Sequence, residues 1–305
     1  MKFLIIGASG LVGSAAFHTL KSMGHHVVGT ESKARTSGLE HFDLFCDDIP
    51  AKVDFLLNLF SADNEVVHIV VFAFVTQIDT CFIEKEKSYL INVIKMKELL
   101  SYLNSKNLNA SRVRIIFIST SFVFDGKQGY YAEGALRDPI CEYGKHKLMI
   151  EEYIEKTIPG ALILRLDKMM GDGGERKDMF SEWYVLMNQG REVVCIDGQL
   201  FSPTYVADAA RGLVLACERD LSGVFHFANT EFFTREELAR QFAWYGGWDA
   251  HIVTKTQEEL GFSDFRPLKT YLDSSKFIEA TGMRFTPMRK VFGLFFENIN
   301  RGKKW

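Results

Sequence analysis

The stretch that decides the fold lies at the start of the chain and reads Lys2-Phe-Leu-Ile-Ile-Gly7-Ala-Ser-Gly10-Leu-Val-Gly13. Five residues suited to a buried strand precede three glycines, and a stretch with helical periodicity follows. Such glycines permit a tight turn, a close approach of backbone to phosphate, and close packing of the helix on the sheet. The positive end of that helix attracts an anion. We therefore predict a turn that binds the pyrophosphate of a dinucleotide through Gly7, Ser9, Gly10, Leu11, Val12 and Gly13.

Strand-like and helix-like segments alternate along the first half of the chain. The apolar runs that suit strands are 3–6, 26–30, 42–46, 67–73, 113–119 and 161–166. Strands separated by helices at this spacing indicate right-handed βαβ units in a parallel sheet. The predicted fold class is α/β, a Rossmann-type doubly wound parallel sheet with a smaller C-terminal substrate lobe.

The domain organisation is predicted to be discontinuous. Residues 1–167 form the dinucleotide-binding domain, and the pattern becomes irregular after them. A strand-like run at 223–227 would return to the first sheet, so the segment 197–229 is assigned to the same domain. The substrate lobe then consists of 168–196 and 230–305.

Composition excludes several functional classes. A net charge of −3 over 305 residues provides no bulk attraction to nucleic acid or to an anionic membrane. The chain enters a strand at once, and its longest apolar run, 66–75, is too short to span a bilayer. The five cysteines lack the spacing of a zinc site. We expect a cytoplasmic protein with reduced thiols, no metal, and no nucleic-acid or membrane partner.

Three side chains are candidates for catalysis. Thr120 follows the apolar run 113–119, and Tyr143 and Lys147 come 23 and 27 residues later, by their numbers in the sequence. Residues four apart share one face of a helix, so the ammonium of Lys147 is expected to lie beside the phenol of Tyr143 and lower its pKa. All three would lie at the crevice where open α/β sheets bind ligands.

The same Tyr-x-x-x-Lys spacing occurs a second time, at Tyr102 and Lys106. That pair falls at the end of a predicted surface helix, and it does not follow the carboxyl end of a strand. Chain order therefore favours Tyr143 as the functional tyrosine and a structural role for Tyr102.

With the glycine turn, these residues make the chain resemble the extended short-chain dehydrogenases/reductases, most closely the dTDP-4-dehydrorhamnose reductase-like branch that binds sugar nucleotides. Further matches along nearly the whole chain are Thr76-Gln-Ile-Asp79, Asn92, Phe124-Asp-Gly126, Tyr131-Ala-Glu133, Pro139, Ser202-Pro-Thr-Tyr-Val-Ala-Asp208 and Arg266-Pro267. Two motifs depart from the family pattern. Ser119-Thr-Ser-Phe122 stands where Ser-Thr-Asp-Tyr is usual, and Val71-Phe-Ala-Phe74 where Asn-Ala-Ala is usual.

The resemblance implies an NAD(P)-dependent reductase of a nucleotide-linked 4-keto-6-deoxy sugar. Tyr143 would be the general acid, Thr120 would hydrogen-bond the carbonyl oxygen of the sugar, and Lys147 would hold the nicotinamide ribose. Asp48 and Ile49 resemble the pair that flanks adenine in this family. Further expected cofactor contacts are Ala73, Phe74 and Asn92.

The choice between NAD and NADP stays open at this point. Glu31 ends the second predicted strand, where a carboxylate can accept hydrogen bonds from the adenosine ribose as in NAD sites. Lys33 and Arg35 follow directly and are suited to the 2′-phosphate of NADP.

Two other functions fit the same residues. Nucleotide-sugar epimerases and dehydratases use the same catalytic set, and the regulatory subunit of methionine adenosyltransferase, which binds NAD(P) without catalysis, resembles this branch. The phenylalanine-rich segment 292–296 is predicted to be core, with a homodimer contact as the alternative.

Overall fold

The computed structural model describes residues 1–33, 38–60, 65–110, 113–173 and 177–302. The strands are β1 (Lys2–Ile6), β2 (His26–Glu31), β3 (Glu40–His41), β4 (Val67–Val71), β5 (Val113–Thr120), β6 (Leu162–Leu166), β7 (Met169–Met170), β8 (Val193–Ile196), β9 (Leu200–Phe201), β10 (Thr204–Tyr205), β11 (Gly223–Phe227), β12 (Phe233–Thr234) and β13 (Ile252–Lys255). The α-helices are α1 (Leu11–Ser22), α2 (Ile49–Asn58), α3 (Ile78–Ile83), α4 (Lys85–Tyr89), α5 (Met96–Ala110), α6 (Glu142–Thr157), α7 (Met179–Asn188), α8 (Val206–Glu218), α9 (Arg235–Gly246), α10 (Ser275–Thr281) and α11 (Met288–Asn300). A π-helical turn, Leu90–Lys95, joins α4 to α5, and a 3₁₀ turn, Ser121–Val123, follows β5.

Seven parallel strands form the central sheet in the order β11-β6-β5-β4-β1-β2-β3. Helices cover both faces of this sheet: α1 and α8 pack on one, and α2, α5 and α6 on the other. The predicted fold class, an α/β doubly wound parallel sheet, is confirmed. Strand order reverses between β1 and β4, and ligands of such sheets bind in the crevice at this point.

Two predicted strands have different limits in the structure. The run 42–46 was expected to be a strand, but pairing stops after Glu40–His41, so this prediction is wrong. Local hydrogen bonds compete with the ladder there, because the Asp43 carboxylate accepts from the amide of Phe45 and the Asp47 carboxylate accepts from the amide of Asp43. The run 67–73 ends at residue 71, where β4 stops.

A separate aromatic core lies in the C-terminal part of the chain. Phe180 and Trp183 of α7 pack against Phe242 of α9 and against Phe292 and Phe295 of α11. Phe292 and Phe295 are buried in this cluster, which confirms the core interpretation of the 292–296 segment. In the described ranges, no helix is both long and apolar enough to cross a membrane.

Candidate functional site

The glycine turn between β1 and α1 has the geometry of a phosphate cradle. Gly7 has a φ of +93°, and a methyl group on it would meet the amide nitrogen of Ala73 at 2.6 Å. A methyl group on Gly13 would collide with the carbonyl of Gly7. Gly10 caps α1 without a side-chain hydrogen bond. The first amides of the helix are therefore open to a bound anion.

A cleft of about 640 Å³ lies over the carboxyl ends of the parallel strands, at the switch point of the sheet. Its volume is in the usual range for small-molecule sites. The predicted site residues that line it are Gly7, Ser9, Gly10, Leu11, Val12, Gly13, Lys33, Ala73, Phe74, Thr120, Tyr143 and Lys147. The structure thus brings the glycine turn and the three predicted catalytic side chains into one cavity.

Of the residues expected around the adenosine, Lys33 lines the cleft, whereas Glu31, Asp48 and Ile49 do not. Glu31 is buried, and Lys33 lines the cleft. The Asp48 carboxylate caps α2 by accepting from the amide of Ala51 at 2.8 Å, and Ile49 is fully buried, so neither lines the cleft. Residues 42–45 line this end instead. Arg35 lies outside the described residues.

Asn92 supports the site from behind. It lies in the π-helical turn, is fully buried, and does not line the cleft. Its side-chain oxygen accepts from the amide of Val75 at 2.8 Å, and its side-chain nitrogen donates to the carbonyl of Val75 at 3.0 Å. These bonds hold the loop that contains Phe74.

Lys147 is a buried cation at the floor of the cleft. Its Nζ donates to the carbonyl of Ile118 at 2.7 Å and lies 3.7 Å from the ring centroid of Phe74 and 4.6 Å from that of Phe117. Burial lowers the pKa of Lys147 to about 7, and the charge of Glu151 opposes that shift. The ammonium is held by a carbonyl and two aromatic faces.

Tyr143 lies between two phenylalanines, with ring centroids 5.9 Å from Phe74 and 6.1 Å from Phe122, both edge-on. Burial raises the pKa of Tyr143, and the hydrogen bond with Thr120 offsets the rise only in part. The expectation that Lys147 lowers this pKa is wrong for the structure, because desolvation raises it and the groups that act on the phenol are Thr120, Cys141 and Cys81. The phenol keeps its proton, which is the form that a general acid needs.

A buried ion pair fixes α6 to the sheet. Glu151 lies on α6 one turn beyond Lys147, and Arg165 of β6 donates to its two carboxylate oxygens at 2.9 and 2.7 Å. Ser119 of β5 donates to the same carboxylate. Since Ser119 precedes Thr120, one buried cluster joins the strand end to the helix that contains Tyr143 and Lys147. The sequence reasoning did not identify this cluster.

Asp167 is a cleft residue that sequence reasoning also missed. It comes directly after β6, and a residue in that position enters the crevice of an open sheet. Burial raises the pKa of the Asp167 carboxyl to about 6, and hydrogen bonds from Ser202 and Ser121 oppose the rise. Position after a buried strand was the one sequence signal that pointed to it.

Two known proteins of similar sequence match this chain over almost its whole length. The probable low-salt glycan biosynthesis reductase of Haloferax volcanii is 28% identical over 281 residues, 90% of each chain. The methionine adenosyltransferase 2 subunit beta of Xenopus tropicalis is 27% identical over 301 residues, 94% of this chain and 84% of that one.

Similarity to solved structures and to a family model leads to the same group. A crystal structure described as a hypothetical dTDP-4-dehydrorhamnose reductase from Sulfolobus tokodaii has a TM-score of 0.77 and 27% identity, and the match covers 92% of this chain and 94% of that one. The model of the RmlD substrate binding domain matches residues 1–300. The chain therefore belongs to the RmlD substrate binding domain family.

Proposed function

We propose that the protein is an NAD(P)-dependent reductase of a nucleotide-linked 4-keto-6-deoxy sugar. The observation that carries the proposal is the convergence of Thr120, Tyr143 and Lys147 with the glycine turn in one cleft. The glycan biosynthesis reductase among the relatives supports the same class of reaction. We further propose that the segments 168–196 and 230–305 hold the sugar nucleotide. We also propose that the reduction takes place in the cytoplasm.

The residues present fit a dinucleotide. The turn at Gly7 and Gly13 has no room for a side chain, and the N-terminus of α1 faces the cleft. These residues would hold the pyrophosphate, and Lys147 would hold the nicotinamide ribose. The bound cofactor would supply the hydride. Lys33 lines the cleft and Glu31 does not, which favours the 2′-phosphate of NADP over NAD.

The side chains of the protein would transfer the proton and stabilise the developing charge. Tyr143 keeps its phenolic proton because burial raises its pKa, and it would donate that proton to the carbonyl oxygen of the sugar. Thr120 would hydrogen-bond the same oxygen as negative charge develops on it.

Turnover of a panel of substrates tests the proposal. Nucleotide-linked 4-keto-6-deoxy sugars are supplied with NADH or NADPH, and loss of the reduced nicotinamide absorbance is followed. We expect oxidation of the cofactor by the wild type and by Tyr102→Phe, and almost none by Tyr143→Phe. A cofactor that binds but is not oxidised with any substrate would contradict the proposal. Sugar conversion without added nicotinamide would indicate an epimerase or dehydratase instead.

A non-catalytic regulatory subunit is the second candidate. The subunit beta of methionine adenosyltransferase 2 is among the relatives, and the rings of Phe74 and Phe122 flank Tyr143. A stoichiometric complex with a methionine adenosyltransferase, whose regulation persists in Tyr143→Phe, would favour this function over the reductase.

A further inference from the structure

A carboxylate enters the cleft from the strand next to the catalytic one. Leu166, the last residue of β6, is the register partner of Thr120, the last residue of β5. Asp167 therefore follows β6 at the level where Ser121 follows β5. Asp167 lines the same cleft as Thr120, Tyr143 and Lys147. It follows β6, whereas Thr120 ends β5 and Tyr143 and Lys147 lie on α6.

Two donors hold this carboxylate in a fixed orientation. Oδ1 accepts from the Ser121 hydroxyl at 2.8 Å, and Oδ2 accepts from the amide of Ser202 at 2.7 Å. The side chain of Thr270 lies close enough to lower the pKa of the carboxyl. Ser202 and Thr270 are almost completely buried. An ionised carboxylate offers about four acceptor positions, so roughly two are left for a ligand.

The surroundings of Asp167 indicate where that ligand group lies. Ser202 follows β9 and Thr270 lies before α10, so the carboxylate sits where the sheet meets the C-terminal segments. A sugar whose carbonyl oxygen reaches Thr120 and Tyr143 would extend its ring towards this junction. Hydroxyl groups are strong donors to an ionised carboxylate, whereas a second carboxylate would be repelled by it.

We propose that Asp167 binds a ring hydroxyl of the sugar and selects uncharged, hydroxyl-bearing sugars over uronates. This inference rests on the proposed function, because it needs a nucleotide sugar in the cleft. Asp167 acts in it as a substrate-binding and specificity residue. The reacting carbonyl remains with Thr120 and Tyr143.

A cycle of protein and ligand changes tests the proposal without turnover. Binding of dTDP-glucose, its 2-deoxy and 3-deoxy analogues and dTDP-glucuronate is measured by calorimetry, with the UDP series if the wild type prefers it. In the wild type, one deoxy analogue should bind roughly 10- to 100-fold more weakly than the parent sugar. In Asp167→Asn, the same analogue should bind about as well as the parent, and discrimination against the glucuronate should shrink about tenfold.

A merely structural role would leave a different signature. If the affinity of each analogue relative to the parent sugar were the same in Asp167→Asn as in the wild type, the proposal would be overturned. This would hold even if the protein still reduced keto sugars. Ser121→Ala, which removes one donor and keeps the charge, serves as the matched control. It should keep the preference among analogues, because the amide of Ser202 still orients the carboxylate. Thermal unfolding checks that each variant folds. A wild type that binds and reduces no nucleotide sugar would overturn this proposal together with the proposed function.

Discussion

The chain contains two Tyr-x-x-x-Lys pairs whose environments are opposite. Lys147 of the first is buried, and desolvation lowers its pKa to about 7. Lys106 of the second is partly exposed and pairs with Asp54 at 2.7 Å, a contact that raises its pKa. The Tyr102 hydroxyl donates to that same Asp54 at 2.9 Å. Spacing along a helix puts two side chains together, but burial decides their chemistry. The first pair has a desolvated lysine in the cleft, and the second pair contacts Asp54 near the surface.

The strongest test of this contrast is removal of each phenol in turn. Tyr143→Phe should lower kcat by about 10²- to 10⁴-fold, because the proposed proton donor is lost. Tyr102→Phe should leave kcat within about twofold, since its hydroxyl contacts Asp54 and Tyr102 does not line the cleft. Steady-state kinetics on the best nucleotide keto sugar give both values. Equal losses in the two variants would contradict the assignment of Tyr143.

The supports of the two helices should also differ in their contribution to stability. Glu151→Gln leaves Arg165 buried without its full partner and should lower the free energy of unfolding by about 3–5 kcal/mol. Asp54→Asn removes the exposed partner of Lys106 and should cost about 1 kcal/mol or less. Urea unfolding followed by circular dichroism measures both. A Glu151→Gln variant as stable as Asp54→Asn would refute the anchoring role of the buried cluster.

The pH dependence of cofactor binding should separate the two lysines. Burial lowers the pKa of Lys147 to about 7 in the free protein. The ribose and phosphates of the proposed cofactor would favour the charged form of this lysine. Binding should therefore take up a proton, and affinity should weaken by up to about tenfold per pH unit above pH 7. Calorimetry in buffers of different ionisation enthalpy detects the proton. Lys147→Met should abolish the dependence, and Lys106→Met should retain it.

The smallest expected effect concerns the hydrogen bond between Tyr102 on α5 and Asp54 on α2. Tyr102→Phe removes the hydrogen bond to Asp54 and should lower the free energy of unfolding by about 0.5–1.5 kcal/mol. Salt should weaken the neighbouring ion pair of Lys106 but not the buried contacts of Lys147. Urea midpoints at low and high salt test this. If Lys147→Met lowered the free energy of unfolding by an equally large, salt-sensitive amount, the environments of the two lysines would not differ as inferred.

Sequence order predicted that Tyr143 lies at the cleft, because it follows a strand end that leads to the crevice. It was not enough for Asp48, Ile49 and Asn92, which cap a helix, fill the core and hold a loop without lining the cleft. Their predicted cofactor contacts rested on resemblance alone. Those roles depend on which way each side chain turns, and the pattern of neighbours along the chain does not contain that information.

The amino-acid sequence by itself determined the parallel sheet, the glycine turn and the meeting of Thr120, Tyr143 and Lys147 at one cleft, since each depends on local periodicity, on steric freedom at glycine, or on chain order. Tertiary structure alone decided the state of those groups. Burial reverses the expected shift of the Tyr143 pKa, and packing joins Glu151 to Arg165 and places Asp167 beside Ser121. Desolvation and long-range pairing arise from residues distant along the chain, so they exist only once the strands are assembled.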